Sequence, residues 1–215
     1  MPPAGPEPTR ERIIFAALKL FSEKGYLSTS VADILKEAGA NSGSLYHFFP
    51  TKQDVLLAVL EMYRDGIYPM LLAPAWEGVD DPVERVFALL GAYREMLAQT
   101  HCLYGCPIGS IALELHEPDP PVREMLSVNF HGWTRHVKGC LDQAKERLPP
   151  GTDTGKLAVF VLTTMEGGVM QSRTHRTLDA FDASVSGLRS YFDLLQASVA
   201  AKPVAQPQDL RGHAS

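Results

Sequence analysis

The stretch HCLYGCPIGS, which begins at His101, holds the densest group of reactive side chains in the sequence. His101, Cys102 and Cys106 could bind a metal ion, but a structural zinc site normally has four ligands, so Cys140 or His116 would have to complete it. Cys106 could instead be a catalytic thiol, which would need a base and an oxyanion-binding group. No ordered Cys/His/Asn pattern accompanies it. We therefore expect no metal site, no cofactor and no enzyme.

Two further roles for Cys106 stay open. Pro107 fits the first position of a helix, which makes Cys106 the expected N-cap residue. A helix N-terminus favours the thiolate and lowers the pKa of a thiol, and thiolates react with electrophiles and oxidants, so Cys106 could be a sensor. Free cysteine is also among the most buried residue types, and a buried Cys106 would be an inert apolar filler.

The composition is that of an ordinary globular protein: 215 residues, 45% hydrophobic and 21% charged. No apolar run approaches the roughly 18 residues of a membrane span. The first twelve residues lack the apolar core of a signal peptide, and three cysteines, an odd number, indicate reduced thiols. We therefore expect a cytoplasmic protein.

Charge is distributed unevenly, although the net charge of −5 does not by itself suggest a nucleic-acid partner. Residues 1–52 carry six lysines and arginines against five acids, and no acid stands between Gly39 and Gln53. We therefore expect a polyanionic partner to bind the N-terminal part of the chain.

Apolar residues recur at helical spacing and predict an all-α protein of about nine helices, without a convincing strand. We expect a disordered segment at 1–8, a DNA-binding domain at 9–52, a ligand-binding and dimerisation domain at 53–201, and a disordered tail at 202–215. Gly25 and Gly39 are expected to end the first two helices. Later helices are predicted at about 53–68, 82–99, 107–116, 120–148, 154–174 and 179–200.

Residues 29–48 match a helix-turn-helix, whose second helix enters the major groove. Thr29 or Ser30 is expected to cap the first helix and Ser42 the second. Small polar residues at the start of the second helix would let its backbone approach DNA, and a tyrosine and a lysine could contact phosphates. The predicted DNA-binding residues are Thr29, Ser30, Asn41, Ser42, Gly43, Ser44, Tyr46, His47 and Lys52.

The segment from Thr9 to Leu60 resembles the DNA-binding domain of the TetR family of transcriptional repressors. The resemblance is carried by the run Gly43-Ser44-Leu45-Tyr46 followed by Phe49-Pro50-Thr51-Lys52. In one departure, Phe48 stands where the family often has histidine, and His47 comes one place earlier. The resemblance implies a homodimeric repressor that binds a palindromic operator in double-stranded DNA. It also implies a small-molecule inducer that releases the repressor from DNA.

The last two helices resemble the family's dimerisation pair. Gly167 and Gly168 are adjacent in mid-helix, which costs about 1 kcal/mol each against alanine, and a close helix crossing would justify that cost. By residue type alone, the apolar stripe on the final helix is ordinary core, but the resemblance favours a four-helix dimer interface. The predicted dimer residues are Gly167, Gly168, Leu188, Tyr191, Phe192 and Leu195.

Inducer pockets are mostly apolar with a few polar groups, so residues of the central helices are expected to line one. The predicted ligand-binding residues are Phe87, Leu90, Tyr93, Cys106, Ser110, Phe130, Trp133, Val137, Met165, Glu166 and Met170. The run GCPIGSIALEL resembles a motif of one branch of the TetR family. That resemblance implies an electrophilic or oxidant inducer as one possibility, and an all-α thiol enzyme using Cys106 is the alternative from another class.

Overall fold

The computed structural model describes residues 8–201 of the chain. Within this range the protein is all-α, as predicted, with nine helices and no strand. The disorder expected for residues 1–8 and 202–215 concerns, apart from Pro8, residues outside the described range. The helices are α1 (Thr9–Lys24), α2 (Val31–Ala38), α3 (Ser42–Phe48), α4 (Lys52–Ile67, continued to Trp76), α5 (Pro82–Gln99), α6 (Pro107–Glu114), α7 (Pro120–Gln143), α8 (Thr154–His175) and α9 (Asp179–Ala200).

Helices α1 to α3 share one core at the N-terminal end of the molecule. Gly25 and Gly39 end α1 and α2 at positive φ angles of 87° and 56°, a backbone region that favours glycine. Ser30 caps α2 in a capping box, because its hydroxyl accepts from the Asp33 N–H and the Asp33 carboxylate accepts from the Ser30 N–H. Leu45 is fully buried and anchors α3 in this core.

Helix α4 is longer than the sequence predicts. Its predicted capping box, between Thr51 and Asp54, is present. Beyond Ile67 the chain stays helical through a π-helical turn, Tyr68–Leu72, and a last α-helical turn, Ala73–Trp76. Pro69 lies in the π-helical turn, and because a proline has no N–H to donate, a change of hydrogen-bond spacing is expected there.

Prolines mark the starts of α5, α6 and α7, as predicted, and α8 and α9 match their predicted bounds to within one residue. The predicted ends of two helices were wrong. Helix α7 ends at Gln143 rather than near 148, and a short 3-10 turn, Lys145–Arg147, follows it. Helix α6 ends at Glu114, two residues early.

Helix α7 is tied to α4 through the buried side chain of Asn129. The Asn129 amide donates to the Leu60 carbonyl at 3.1 Å and to the Met125 carbonyl at 2.9 Å. Helix α8 packs between α7 and α9. Within the described range, none of the helices combines the length and apolarity that crossing a bilayer requires.

Candidate functional site

Helix α3 presents a polar and aromatic surface to solvent. Ser42, Gly43, Tyr46 and His47 are exposed, while Leu45 between them is buried. The buried leucine fixes the rotation of the helix, so the other side chains are available to a partner. The predicted recognition surface therefore lies on the exposed face of α3, and Leu45 anchors the opposite face in the core.

The start of α3 differs from the prediction by one residue. Asn41, not Ser42, is the N-cap, and its side-chain oxygen accepts from the Ser44 N–H at 2.8 Å. Asparagine and serine are about equally good N-cap residues, so propensity did not separate them. The Ser42 hydroxyl is consequently left out of the cap and stands on the exposed first turn.

Two of the predicted DNA-binding residues are engaged within the protein. Thr29 is 1% exposed, and its hydroxyl donates to the Gly25 carbonyl at 2.7 Å. The structure therefore corrects Thr29 from a DNA contact to a residue that holds the turn between α1 and α2. Ser30 is exposed but its hydroxyl serves the α2 capping box.

Two cations close to the C-terminal end of α3, Lys52 and Arg10, each lie against an aromatic ring. The Lys52 Nζ lies 4.2 Å from the centre of the Tyr26 ring, and partial burial lowers the pKa of Lys52. Arg10 was not among the predicted contacts, yet its exposed guanidinium lies 5.5 Å from the Phe49 ring at the end of α3. Its position near α3 depends on the packing of α1, which residue spacing alone does not reveal.

A cleft of about 690 Å³ lies between the α6 region and α8. Five of the predicted ligand-binding residues line it: Cys106, Ser110, Phe130, Glu166 and Met170. The lining residues that were not among the predicted ligand contacts are Gly105, Gly109, Ala112, Leu113, Thr163, Gly167, Val169, Arg173, Thr174 and Arg176. The cleft thus contains two arginines and one carboxyl group in an otherwise mostly uncharged wall.

Six predicted ligand-binding residues belong to the core instead. Phe87 packs against the Phe192 ring, at 5.5 Å between centroids, and Trp133 packs against Tyr93 at 5.3 Å. Aromatic and methionine side chains fill cores as readily as they line pockets, and helical spacing does not distinguish the two. The residues that are buried without lining the cleft are Phe87, Leu90, Tyr93, Trp133, Val137 and Met165.

The thiol of Cys106 has the predicted N-cap position, and its surroundings bear on the two roles left open for it. Its sulfur accepts from the Gly109 N–H at 3.5 Å and from the Tyr93 hydroxyl at 4.0 Å. Burial raises the pKa of the Cys106 thiol, and the neighbouring Glu166 carboxyl raises it further. The structure therefore favours the buried-filler hypothesis for Cys106 over the sensor hypothesis, because desolvation outweighs the effect of the helix N-terminus on the pKa.

Cys102 and Cys140 are buried free thiols as well. Among residues 8–201, no three histidine, cysteine, aspartate or glutamate side chains lie where they could hold a metal ion together. The alternative of a metal site at His101, Cys102 and Cys106 thus receives no support from the geometry.

Helix α6 joins the cleft to the N-terminal three helices. Its N-cap Cys106 and its residues Gly109, Ser110, Ala112 and Leu113 line the cleft, and its last residue is Glu114. The Glu114 carboxylate accepts from the backbone N–H groups of Tyr26 and Leu27 at 2.8 and 2.7 Å. These two hydrogen bonds join residues that are 88 and 87 positions apart in the sequence, and sequence reasoning missed them.

The outer surface of α8 and α9 corrects part of the predicted dimer face. Leu188 and Phe192 are 2% and 0% exposed and belong to the core of their own chain. A Cβ on Gly168 would lie 3.1 Å from the Phe181 Cα, so the close crossing it permits is between α8 and α9 of one chain. Gly167, by contrast, has open space beside it.

Other apolar side chains remain exposed on these two helices. Tyr191 is 43% exposed, and its ring packs edge-on against the exposed Phe160 at 5.6 Å. Leu194 is 70% exposed one turn further along α9, and Leu195 is half-buried. The exposed apolar face is therefore formed by Phe160, Tyr191 and Leu194.

Two known protein families match separate parts of the chain. The family described as "Bacterial regulatory proteins, tetR family" matches residues 13–59. The family described as "Tetracyclin repressor-like, C-terminal domain" matches residues 82–188.

Individual relatives agree with these matches. The transcriptional regulator LmrA of Bacillus subtilis is 30% identical over 168 residues, which are 77% of this chain and 87% of LmrA. The uncharacterised regulator YxaF of the same organism is 29% identical over 171 residues, 78% of this chain and 86% of YxaF. The crystal structure of a regulatory protein TetR from Rhodobacter sphaeroides has a TM-score of 0.77 at 26% identity, covering 86% of this chain and 97% of the other. The protein therefore belongs to the TetR family of helix-turn-helix transcriptional regulators.

Proposed function

We propose that this regulator is a ligand-responsive repressor, which binds a palindromic operator as a homodimer and leaves it when a small molecule enters the α6–α8 cleft. The observation that carries the proposal is the position of α6. Residues along this helix, from its N-cap Cys106 to Leu113, line the cleft, and its last residue, Glu114, holds the turn before α2. A ligand that displaces α6 would therefore act on the DNA-binding helices directly.

The coupling requires two states of the protein. A ligand shifts their balance only if it binds the DNA-incompetent state more tightly, and DNA must then weaken ligand binding by the same factor. Glu166 and Gly109 both line the cleft and are in close contact, since a Cβ on Gly109 would collide with the Glu166 carboxyl group. Because these two groups are already in close contact, a ligand that pushes one toward the other would shift α6 or α8.

The exposed face of Phe160, Tyr191 and Leu194 supports the homodimer. Large exposed apolar patches commonly mark protein interfaces, and a two-fold axis through this face would pack α8 and α9 against the same helices of a second copy. Such a dimer carries two α3 helices related by symmetry. That arrangement matches an operator whose two half-sites are inverted repeats.

The buried thiol of Cys106 bears on the kind of inducer. A raised thiol pKa leaves little thiolate to react, so the proposal is reversible, noncovalent binding rather than attack by an electrophile or oxidant. The same property argues against the alternative of a thiol enzyme.

The proposal is tested by electrophoretic mobility shift with DNA from upstream of the protein's own gene. We expect specific binding that weakens steeply with salt. Tyr46→Phe removes one exposed hydroxyl from α3 and is expected to weaken binding by about fivefold, the value of one hydrogen bond to a phosphate. Tyr68→Phe is the matched control, because Tyr68 is equally exposed but lies at the end of α4. Lack of specific retardation at low salt, or equal losses in the two variants, would contradict the DNA-binding role.

A further inference from the structure

We infer that the ligand of the α6–α8 cleft is an organic anion, a carboxylate on an apolar skeleton, whose charged group is bound by Arg173 and Arg176. The inference rests on the proposed function only in taking this cleft as the ligand site. It concerns the chemical class of the ligand, which neither the fold nor the family determines.

Arg173 lies along one wall of the cleft. Its Nη1 donates to the Ser110 hydroxyl at 3.2 Å, and its Cδ lies near Gly105, 3.6 Å from the position a Cβ would take there. A guanidinium has five N–H donors, and a bond to one neutral hydroxyl leaves most of them for a ligand. The contact with Ser110 also holds the guanidinium in place, so a ligand does not have to order it.

Arg176 stands next to it at the C-terminal end of α8. Its Nη1 donates to the Cys102 carbonyl at 2.7 Å, again a neutral partner. Arg176 adopts a positive φ of 58°, which ends α8 and turns the following chain away. Both arginines therefore contribute to the same wall of the cleft.

Some arginines of the protein pair with a carboxylate, whereas Arg173 and Arg176, like two arginines elsewhere in the chain, donate to neutral oxygens. Arg94, Arg147 and Arg189 each pair with a carboxylate on another helix or loop. In the part of the chain that the structure describes, no carboxylate oxygen lies within 4.0 Å of Arg173 or Arg176. A bound carboxylate would supply the missing counter-charge in a bidentate arrangement, the strongest hydrogen-bonded pairing open to arginine.

The rest of the cleft suits an apolar skeleton. Ala112, Leu113, Phe130, Val169 and Met170 line it, and its volume of about 690 Å³ falls in the usual range for small-molecule sites. A free inorganic anion would leave these side chains without a partner. The cleft therefore favours an amphipathic acid over phosphate or sulfate.

Glu166 sets the direction of the ligand. It is seven residues before Arg173 on α8, which is about 10 Å along the helix axis. A carboxylate at Arg173 is thus kept away from the Glu166 carboxyl, and the opposite end of the ligand lies toward Glu166 and Gly109. A ligand cation would require the reverse orientation, with its charge at Glu166 and away from both arginines.

The test uses isothermal titration of the full-length protein with matched neutral, anionic and cationic probes. The first series is 4-phenylbutanoate, 4-phenylbutanamide and 4-phenylbutylamine, and the second is decanoate, decanamide and decylamine. We expect at least one acid to bind about tenfold more tightly than its amide, as a charged pair with arginine implies, and the amines to bind weakest. Equal affinities of acid and amide, a preference for the amine, or no binding of any probe at millimolar concentration would overturn the inference.

Variants at Arg173 test whether the preference for the acid over its amide arises in the cleft. Arg173→Gln keeps a donor for Ser110 but removes the charge, so the preference for the acid over its amide should disappear. Arg173→Lys should restore part of it. Arg123→Gln is the matched control, because Arg123 is exposed on α7 and does not line the cleft. An unchanged preference in Arg173→Gln would place the anion elsewhere.

A mobility-shift assay with the same probes and the upstream DNA distinguishes failure of this inference from failure of the proposed function. Acids that bind through Arg173 but leave the DNA complex intact would uphold the ligand class and refute induction. Release of DNA by neutral ligands alone would uphold induction and refute the ligand class.

Discussion

At the scale of single residues, Cys106 illustrates how the surroundings of a group override its local position. Its place at the start of α6 behind Pro107 was predictable, and a helix N-terminus favours a thiolate. Burial and the adjacent Glu166 carboxyl act in the opposite sense and raise the pKa of the thiol. The effect of burial and Glu166 on the pKa outweighs that of the helix N-terminus, because Cys106 is only 3% exposed.

The reactivity of Cys106 follows from that pKa. Since a raised pKa leaves less thiolate at neutral pH, we expect N-ethylmaleimide to label Cys106 in the folded protein at least about a hundredfold more slowly than in the unfolded chain. Peptide mapping by mass spectrometry distinguishes it from Cys102 and Cys140. Labelling of Cys106 at similar rates in both states would restore the sensor hypothesis.

At the scale of elements, α6 is a short helix that contacts both the cleft and the N-terminal helices. Its residues from the N-cap to Leu113 line the cleft, and Glu114 at its C-terminal end accepts two backbone N–H groups from the turn after α1. Hydrogen bonds to a charged acceptor are stronger than neutral ones, so this contact orders the turn that precedes α2. In the proposed mechanism, a displacement of α6 would thereby be passed to the helix-turn-helix.

Substitution of Glu114 should loosen that turn. Glu114→Gln preserves the shape of the side chain but weakens both bonds, so we expect about tenfold faster hydrogen exchange at Tyr26 and Leu27, measured by mass spectrometry. Glu117→Gln, an exposed residue beyond the end of α6, is the control and should change nothing. Unaltered exchange in Glu114→Gln would mean that the contact does not order the turn.

At the scale of the whole molecule, the outer face of α8 serves two purposes in the proposed mechanism. Thr163, Gly167 and Met170 line the cleft, and Phe160 lies on the same helix in the exposed apolar face. A partner subunit packed on α8 and α9 would therefore lie beside the mouth of the cleft. Ligand binding and the relative position of the two DNA-binding units would then depend on one surface.

A charge on that surface should separate the subunits. Leu194→Asp is expected to convert a dimer into a monomer, as measured by light scattering after size exclusion, because burying an unpaired carboxylate in an apolar interface is costly. Met70→Asp is the control, since Met70 is similarly exposed but lies at the end of α4. A Leu194→Asp protein of unchanged mass would move the interface elsewhere.

Much of this protein is determined by the sequence alone. Glycines at the ends of α1 and α2, the Thr51–Asp54 capping box and the prolines at helix starts act on neighbouring residues, so local pattern was enough to locate most helices. The run from Gly43 to Lys52 likewise identified the helix-turn-helix. These features depend on contacts within about one helical turn.

The tertiary structure decided which side chains of each helix line the cleft and which fill the core. Phe87 and Trp133 share residue type and spacing with true cleft residues, yet they fill the core, because the packing of distant helices sets the direction each face points. The same packing buried Cys106, brought Glu114 to the turn after α1 and placed Arg173 and Arg176 together on the cleft wall. Such contacts join residues tens of positions apart, and no local pattern encodes them.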